Sequence, residues 1–242
     1  MRNRKHSFYF KQFAIYQDKC AMKVGTDGIL LGAWASISEN ARILDVGTGT
    51  GLLALMLAQR SQLSEDTIID AVEIDYDAYC QATDNVKSSP WSDRINIFHS
   101  SIQDFSPNRS KQYDVIISNP PFFENAYKAS QASRTLARHS DSLLQTDLLQ
   151  ISDRLLKPNG RLAVIYPTDL AHNFLNKAEA FNLFGDRQVN VKPTPKSAIK
   201  RILLELSKTK LPIRETLLTI EEIKHIYTKD YINLVKDFYL NL

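Results

Sequence analysis

The chain of 242 residues is 43% hydrophobic and 24% charged, a composition typical of a soluble globular protein with one α/β domain. It contains no run of the roughly 20 apolar residues that span a bilayer, and its basic start, MRNRKHSFYF, lacks the apolar stretch of a signal peptide. Cys20 and Cys80 have no CxxC partner or histidine at ligand spacing, which argues against a zinc site and a disulfide scaffold. We therefore expect a cytoplasmic protein that binds neither a metal nor a membrane.

The net charge of +3 is distributed unevenly along the chain. Residues 1–28 carry six basic side chains against two acidic ones, and residues 187–214 carry eight against Glu205 alone. Such clusters bind phosphates in proteins that recognise nucleic acids, but solvated lysines on an ordinary surface give the same pattern. Charge alone leaves both interpretations open.

Apolar periodicity predicts an alternation of strands and helices along the chain. A first helix, capped by Thr26 or Asp27, is predicted to run through Ile29 and Leu30 to Trp34. Strands are then predicted at 41–47, 67–75, 94–101, 113–121, 161–167 and 198–208, helices at 52–60, 76–89, 141–156 and 168–181, a turn at 157–160, and one or two short helices within 221–242. This order specifies a parallel sheet with helices on both faces, whose ligands bind beyond the carboxyl ends of the strands.

A glycine-rich segment, DVGTGTG (45–51), ends the first strand of the predicted sheet. Gly47, Gly49 and Gly51 permit a tight turn and let a ligand approach the backbone closely. Their GxGxG spacing differs from the dinucleotide fingerprint GxGxxG, and the carboxylate of Asp45 would repel a pyrophosphate. A cationic amino acid suits Asp45, and Glu73 at the end of the next strand can accept both hydrogens of a ribose diol. These features favour S-adenosylmethionine over NAD.

The glycine-rich segment resembles motif I of the class I, Rossmann-like methyltransferases, and Glu73 matches their ribose-binding acid. The resemblance implies a mostly parallel, seven-stranded sheet with helices on both faces. These enzymes often place an aspartate after the third strand, where it contacts the adenine amino group of the cofactor. Ser101 occupies that position here, and Asp104 lies one turn later as a candidate substitute.

The segment SNPPFF (118–123) follows the fourth predicted strand of the sheet and provides the candidate catalytic residues. An exocyclic amine on a base is a poor nucleophile because its lone pair is delocalised into the ring. The side-chain oxygen of Asn119 and the carbonyl of Pro120 can each accept one amine hydrogen, while Pro120 and Pro121 fix the turn and Phe122 can stack on the base. The motif is typical of enzymes that methylate adenine, guanine N2 or glutamine amides, so it predicts the acceptor atom rather than the substrate.

A longer stretch, FYFKQFAIYQDKCAMKVGTDGILLGAW (8–34), resembles the amino end of the bacterial tRNA1(Val) (adenine-37-N6)-methyltransferase family, and the likeness continues through RHSD (138–141) to KDFYL (236–240). It implies methylation of the N6 amine of adenine 37 in the anticodon loop. It also implies that the amino-terminal segment (1–40) forms a cap over the cofactor. With no repeat or linker in the sequence, we expect a single domain over 1–242, in which a catalytic core (41–210) and a carboxy-terminal helical extension (211–242) follow this cap. Lys23, Thr26 and Asp27 would lie near the methionine end of the cofactor.

Two polar stretches are the candidate RNA contacts. The segment KASQASRTLARHS (128–140) has basic side chains and no acid, and VKPTPK (191–196) has the form of a stiff projecting loop. The residues predicted to bind phosphates are Lys128, Arg134, Arg138, His139, Lys192 and Lys196. Ordinary surface loops remain the alternative. The sequence favours a monomer but leaves the oligomeric state open.

Other functions remain possible at this stage. A glutamine N5-methyltransferase of a translation factor uses a similar site, but it would have a separate substrate-binding domain and a groove without positive charge. An N2-guanine rRNA methyltransferase shares the Asn-Pro-Pro motif. A DNA adenine methyltransferase usually needs a recognition domain for which this chain has no room. A noncatalytic RNA-binding module would not require Asp45, Glu73 and Asn119 together.

Overall fold

The computed structural model describes residues 7–64, 66–107, 112–121 and 145–241. The strands are β1 (Ser7–Tyr9), β2 (Ala14–Tyr16), β3 (Arg42–Val46), β4 (Ile68–Glu73), β5 (Ile95–His99), β6 (Tyr113–Ser118), β7 (Leu156–Pro167), β8 (Phe184–Lys192), β9 (Arg201–Ser207), β10 (Arg214–Thr219), β11 (Glu221–Ile223) and β12 (Ile226–Tyr227). The helices are α1 (Thr26–Trp34), α2 (Leu52–Arg60), α3 (Tyr76–Lys87), α4 (Gln145–Leu155), α5 (Thr168–Ala178) and α6 (Lys229–Val235), and a short 3-10 turn (Glu179–Phe181) follows α5. None of the helices in these ranges has the length and apolar character needed to cross a bilayer.

One large sheet of eight strands, in the order β10-β8-β9-β7-β6-β3-β4-β5, organises the molecule. Neighbouring strands are parallel except where β9 pairs with β7 and β8. One face is buried against α1, α2 and α6, and the other against α4 and α5. The Rossmann-like α/β fold with helices on both faces is confirmed, although the sheet has eight strands where seven were predicted.

The additional strand, β10, lies where a helical extension was predicted, so the prediction was wrong there. It pairs in parallel with β8 and buries Leu218 against the core, as a strand with one apolar face does. The segment 221–227 was also predicted to be helical, but it forms the antiparallel pair β11 and β12 around His225, whose φ is 67°. Its β-branched residues Ile223 and Ile226 favour a strand. Only α6 confirms the predicted carboxy-terminal helices.

Two smaller predictions also need correction, and one strand was missed. Neither Thr26 nor Asp27 caps α1, because the N-cap position belongs to Gly25 and no side chain bonds there. The predicted turn at 157–160 lies inside β7, as an irregularity between the residues that pair with Tyr113 and with Val115. Strand β8 was not predicted, since its polar residues interrupt the apolar pattern.

Three functional segments follow adjacent parallel strands. Asp45 and the glycines come at the end of β3, Glu73 ends β4, and Asn119 follows β6, with β3 between the other two. In register, Asp45 pairs with Ile117, two residues before Asn119. We call this edge of the sheet, where β3, β4 and β6 end, the carboxyl edge. The predicted meeting of both motifs at one edge is confirmed.

The amino-terminal hairpin β1–β2 packs against residues 236–240. Phe10 and Tyr239 form an antiparallel bridge, and the backbone N–H of Lys11 donates to the carbonyl of Phe238 at 2.8 Å. The rings of Phe10 and Phe13 stack with centroids 4.5 Å apart. The KQF and KDFYL motifs, far apart in sequence, therefore hold each other in place.

Candidate functional site

The glycine loop, residues 47–51, turns sharply between β3 and α2. Gly47, Gly49 and Gly51 have φ values of 70°, 57° and 82°, a left-handed conformation that side chains with a Cβ rarely adopt. A Cβ on Gly47 or Gly49 would meet no atom within 4 Å, whereas one on Gly51 would lie 3.5 Å from the Cβ of Ala82. Open space therefore lies over Gly47 and Gly49, and a ligand can approach the backbone there.

Asp45 is fully buried beneath the glycine loop. Its Oδ2 accepts a hydrogen bond of 2.5 Å from the Thr48 hydroxyl, while its Oδ1 accepts none from any described residue. Burial raises the pKa of this carboxyl to about 7; the Thr48 hydroxyl and the Ala54 backbone oppose the rise, and the nearby charge of Glu73 adds to it. A buried acceptor in this state favours a ligand that brings a donor or a positive charge.

Glu73 is held by three backbone amides. Its Oε2 accepts from the N–H of Gly49 at 2.8 Å, and its Oε1 accepts from the N–H groups of Ile74 and Asp75 at 2.9 and 3.0 Å. Because each carboxylate oxygen has two lone pairs, Oε2 is the one with room for a further donor. The carboxylate is thus oriented for one ribose hydroxyl, and the predicted second bond would have to share Oε1 with backbone amides.

Ser101 and Asp104 are brought together after β5. The Ser101 hydroxyl donates to Oδ2 of Asp104 at 2.7 Å, and the N–H of Asp104 donates back to the Ser101 hydroxyl oxygen at 3.1 Å. The two side chains close a turn, and their contact with a cofactor adenine stays a prediction.

Asn119 provides the second buried acceptor of the carboxyl edge. Its Oδ1 is buried and accepts no hydrogen bond from the part of the chain that the structure describes. Its Nδ2 lies 3.6 Å from where a Cβ on Gly28 would stand, so α1 approaches Asn119 closely. The Ser118 hydroxyl donates to the carbonyl of Val46 at 2.8 Å and ties the end of β6 to β3. We call Oδ1 of Asp45 and Oδ1 of Asn119 the two open acceptors.

Several predicted site residues fall outside the described ranges. Pro120 is buried and Pro121 is exposed, but the description ends there. The remaining catalytic candidate and four of the RNA-binding candidates lie beyond it: Phe122, Lys128, Arg134, Arg138 and His139.

Lys23, Thr26 and Asp27 lie around the start of α1. The ammonium of Lys23 donates to the carbonyls of Gln17 and, at 2.8 Å, Cys20, so it closes its own turn. The carboxylate of Asp27 accepts from Nε of Arg201 at 2.7 Å, while Thr26 begins the helix. Burial raises the pKa of the Cys20 thiol to about 11, with Glu73 adding to the rise and Lys23 opposing it, which places this turn near Glu73. Contact of the three residues with the methionine end stays a prediction.

The basic stretch 187–214 separates into paired and unpaired cations. Five of its eight cations form ion pairs: Arg187–Glu205, Arg201–Asp27, Lys208–Asp153, Lys210–Glu179 and Arg214–Asp186. Lys192, Lys196 and Lys200 form none with a described carboxylate; we call them the edge lysines. Lys192 ends β8, and Lys196 and Lys200 lie in the loop that leads to β9. The first residue of β9, Arg201, pairs with Pro167 at the carboxyl end of β7. The free positive charge therefore lies at the same edge as Asn119.

The structure adds site residues that the sequence analysis missed. Thr48 bonds Asp45, Gly28 makes room beside Asn119, and Asn85 of α3 bonds the glycine loop. The sequence does contain a pattern that points to Asn85. Gln81 and Asn85 are amides four residues apart, so they lie on the same side of the predicted helix, beside its apolar face. In the described ranges, no cluster of three or more histidine, cysteine, aspartate or glutamate side chains could hold a metal.

Comparisons with known proteins agree with this geometry. The family model "Methyltransferase small domain" matches residues 24–183. A tRNA1(Val) (adenine(37)-N6)-methyltransferase of Trichodesmium erythraeum is 58% identical over 97% of this chain and 98% of its own length. One of the same name from Flavobacterium psychrophilum is 48% identical over 97% of this chain and all of its own. The chain belongs to the tRNA1(Val) (adenine(37)-N6)-methyltransferase family.

Solved structures share the fold of this methyltransferase at low sequence identity. The methyltransferase subunit of a type I restriction-modification system from Streptococcus thermophilus superposes with a TM-score of 0.61 at 16% identity, over 90% of this chain and 52% of its own. A TehB-like SAM-dependent methyltransferase from Corynebacterium glutamicum gives 0.51 at 15% identity, over 76% and 89%. At such identities the likeness concerns the fold alone.

The raised pKa of Asp45 predicts a pH-dependent penalty on the stability of the ligand-free protein. The folded state holds the proton up to about pH 7, whereas an unfolded aspartate loses it near 3.8, so stability falls as pH rises through this interval. Asp45→Asn cannot acquire this charge. The melting temperature of Asp45→Asn minus that of wild type, measured by calorimetry, should therefore be about 3 °C or more larger at pH 8 than at pH 5.

A matched control for this measurement is Asp70→Asn. Asp70 is also a buried aspartate of the sheet, but it accepts from Tyr113, Asn96 and Arg42, so its replacement should lower the melting temperature at pH 8. A constant difference between Asp45→Asn and wild type from pH 5 to pH 8 would contradict a buried, uncompensated charge at Asp45.

Proposed function

We propose that this methyltransferase transfers a methyl group from S-adenosylmethionine to the exocyclic N6 amine of adenine 37 in the anticodon loop of tRNA1(Val). The observation that carries the proposal is the pair of open acceptors on adjacent strands, one beneath the glycine loop and one beside it. One suits a cationic amino acid and the other suits an amine hydrogen. Membership in the family adds the identity of the base and of the RNA.

The residues around the glycine loop fit S-adenosylmethionine better than a nucleotide with a pyrophosphate. The Oδ1 of Asp45 can accept from a positively charged amino acid group, the space over Gly47 and Gly49 admits the ligand, and Oε2 of Glu73 can accept from a ribose hydroxyl. Two carboxylates close to one loop would repel a polyphosphate. When bound, S-adenosylmethionine supplies a methyl group activated by a sulfonium charge.

Asn119 and Pro120 prepare the amine of the base for reaction. Oδ1 of Asn119 is already stripped of solvent and of described donors, so an amine N–H is its natural partner. With the Pro120 carbonyl accepting the other hydrogen, the nitrogen lone pair is drawn out of conjugation and directed away from both acceptors. The same two oxygens would stabilise the positive charge that develops on the nitrogen as the methyl group leaves the sulfonium and bonds to it. One amine proton becomes acidic at that stage and would pass to water, so no strong general base is required. Phe122 is proposed to stack on the base.

The edge lysines are proposed to hold the phosphates that flank the target base. Three strand spacings separate β8 from β6, which places their loop roughly 14 Å from the strand that leads to Asn119. An anticodon loop presents bases that are already free to unstack, so a compact protein with a basic edge suffices. Lys128, Arg134, Arg138 and His139 are proposed as further phosphate contacts. We expect the protein to act as a monomer in the cytoplasm.

The direct test is methyl transfer to bulk tRNA from a strain that lacks the gene for this protein. The purified protein and labelled S-adenosylmethionine are incubated with this RNA, and the product nucleoside and its position are identified by mass spectrometry. N6-methyladenosine at position 37 of tRNA1(Val) is the expected result. N2-methylguanosine, or label in protein and none in RNA, would overturn the proposal.

Asn119→Ala should remove catalysis and spare cofactor binding. We expect kcat to fall by about 10² to 10³ or more, because one oxygen that stabilises developing charge is lost. The Kd for S-adenosylmethionine, measured by calorimetry, should stay within about threefold, since the Asp45 and Glu73 carboxylates are untouched. Unchanged turnover would remove Asn119 from the reaction.

The double variant Lys196→Ala/Lys200→Ala should bind tRNA less tightly and with a weaker salt dependence. Each phosphate contact that is lost reduces the number of counterions released when tRNA binds. The slope of log KM for tRNA against log salt should therefore fall by about one per contact. Lys210→Ala is the matched control, because Lys210 is an exposed lysine that pairs with Glu179 beyond the other end of β9. Equal slopes in both variants would contradict a phosphate-binding role for the edge lysines.

A further inference from the structure

We propose that Asn85 is a positioning residue that makes the amino-terminal segment, residues 7–24, part of the cofactor site. Its side-chain amide joins Tyr16 of β2 to Thr50 of the glycine loop. The inference rests on the proposed binding of S-adenosylmethionine at that loop.

The bonds of Asn85 use one amide to hold two separate pieces of backbone. Its Nδ2 donates to the carbonyl of Tyr16 and to the carbonyl of Thr50, both at 2.8 Å, while its Oδ1 accepts from the N–H of Tyr16 at 2.9 Å. The residue is 1% exposed on the inner side of α3. With both donors and the oxygen engaged, the side chain has one orientation.

Asparagine is required by the polarity of its three partners. Two carbonyls need donors and one N–H needs an acceptor, a combination that a primary amide of this length supplies. An aspartate would face both carbonyls with acceptor oxygens, and an alanine would leave three backbone groups, one of them buried, without their partner. The position therefore demands this side chain rather than any small polar one.

The bond to Thr50 fixes the part of the loop on which the cofactor would rest. The Thr50 carbonyl that accepts from Asn85 and the N–H of Gly51 belong to one peptide unit. This N–H donates to the carbonyl of Thr48 at 2.9 Å. Both ends of that peptide are thus held. Without Asn85 the Thr50 carbonyl loses its hydrogen bond, which loosens the loop next to Gly49, whose N–H orients Glu73.

The bonds to Tyr16 carry the same constraint into the amino-terminal segment. From Tyr16 the chain passes into the turn closed by Lys23 and on to α1, whose Gly28 adjoins Asn119. A ligand that orders the glycine loop therefore stabilises β2 through a single side chain. The amino-terminal segment and the cofactor are coupled by Asn85.

Gln81 provides a matched control one helical turn earlier. It is 3% exposed, and its Oε1 accepts from the backbone N–H of Lys19 at 3.1 Å, so it also holds the amino-terminal segment to α3. None of its hydrogen bonds within the described ranges reaches the glycine loop. The two residues thus share burial, helix and partner segment, and differ in the contact with Thr50.

The test compares Asn85→Ala with Gln81→Ala in the full-length protein. Both should lower the melting temperature, but Asn85→Ala alone should raise the Kd for S-adenosylmethionine, measured by calorimetry, by about tenfold or more. The kcat at saturating cofactor should stay within about threefold of wild type for Gln81→Ala. Equal changes in Kd for the two variants, or none, would overturn the positioning role. A wild-type protein that fails to bind S-adenosylmethionine would instead overturn the proposed function.

Hydrogen exchange in the wild-type protein tests the coupling even if Asn85→Ala does not fold. Addition of S-adenosylmethionine should slow exchange of the Tyr16 amide, which donates to Asn85, together with the amides of Gly49 and Gly51. The amides of β10, at the far edge of the sheet, should be unaffected. Protection of the loop without protection of Tyr16 would show that the two segments are independent.

Discussion

The candidate site depends on two buried oxygens at the carboxyl edge, Oδ1 of Asp45 and Oδ1 of Asn119. Neither accepts a hydrogen bond from the described residues. A buried acceptor in that state costs free energy in the ligand-free protein. An unfavourable group of this kind persists only where the surrounding fold is stable. Here both oxygens lie at the ends of β3 and β6, two neighbouring strands inside the sheet. The left-handed Gly47 and Gly49 leave open space over the loop, and the Thr48 hydroxyl holds the Asp45 carboxylate. The Ser118 hydroxyl ties the end of β6, next to Asn119, to β3.

The core of the fold and the meeting of both motifs at its carboxyl edge could be predicted because both depend on local patterns. Buried parallel strands appear as apolar runs, and a strand that ends in Asp45 and three glycines has few alternative structures. The end of the chain was predicted less well. β10 has one buried apolar side chain, Leu218, and its pairing with β8 joins segments whose sequences do not individually favour a central sheet. A strand held by long-range pairing leaves a weak local signal.

The charge of the 187–214 stretch shows why a count of basic residues leaves function open. Most of its cations pair with carboxylates that are distant in sequence, among them Asp27 and Asp153, so these charges are already partnered within the fold. The pairing depends on which helix lies against which strand, and a sequence shows no such contact. The cations without a described ion pair are the three edge lysines. They are a more specific candidate for phosphate binding than the stretch as a whole.

The contact between residues 8–11 and residues 236–240 has a consequence for synthesis of the protein. The central strands can pair as the chain emerges from the ribosome, but Phe10 and Lys11 lack their carboxy-terminal partners, Tyr239 and Phe238, until residues 236–240 have been translated. Because β2 is joined to the glycine loop through Asn85, the contacts of the amino-terminal hairpin also affect the carboxyl edge. A nascent chain stopped short of residue 236 would lack the contacts that hold its amino-terminal hairpin against the rest of the molecule.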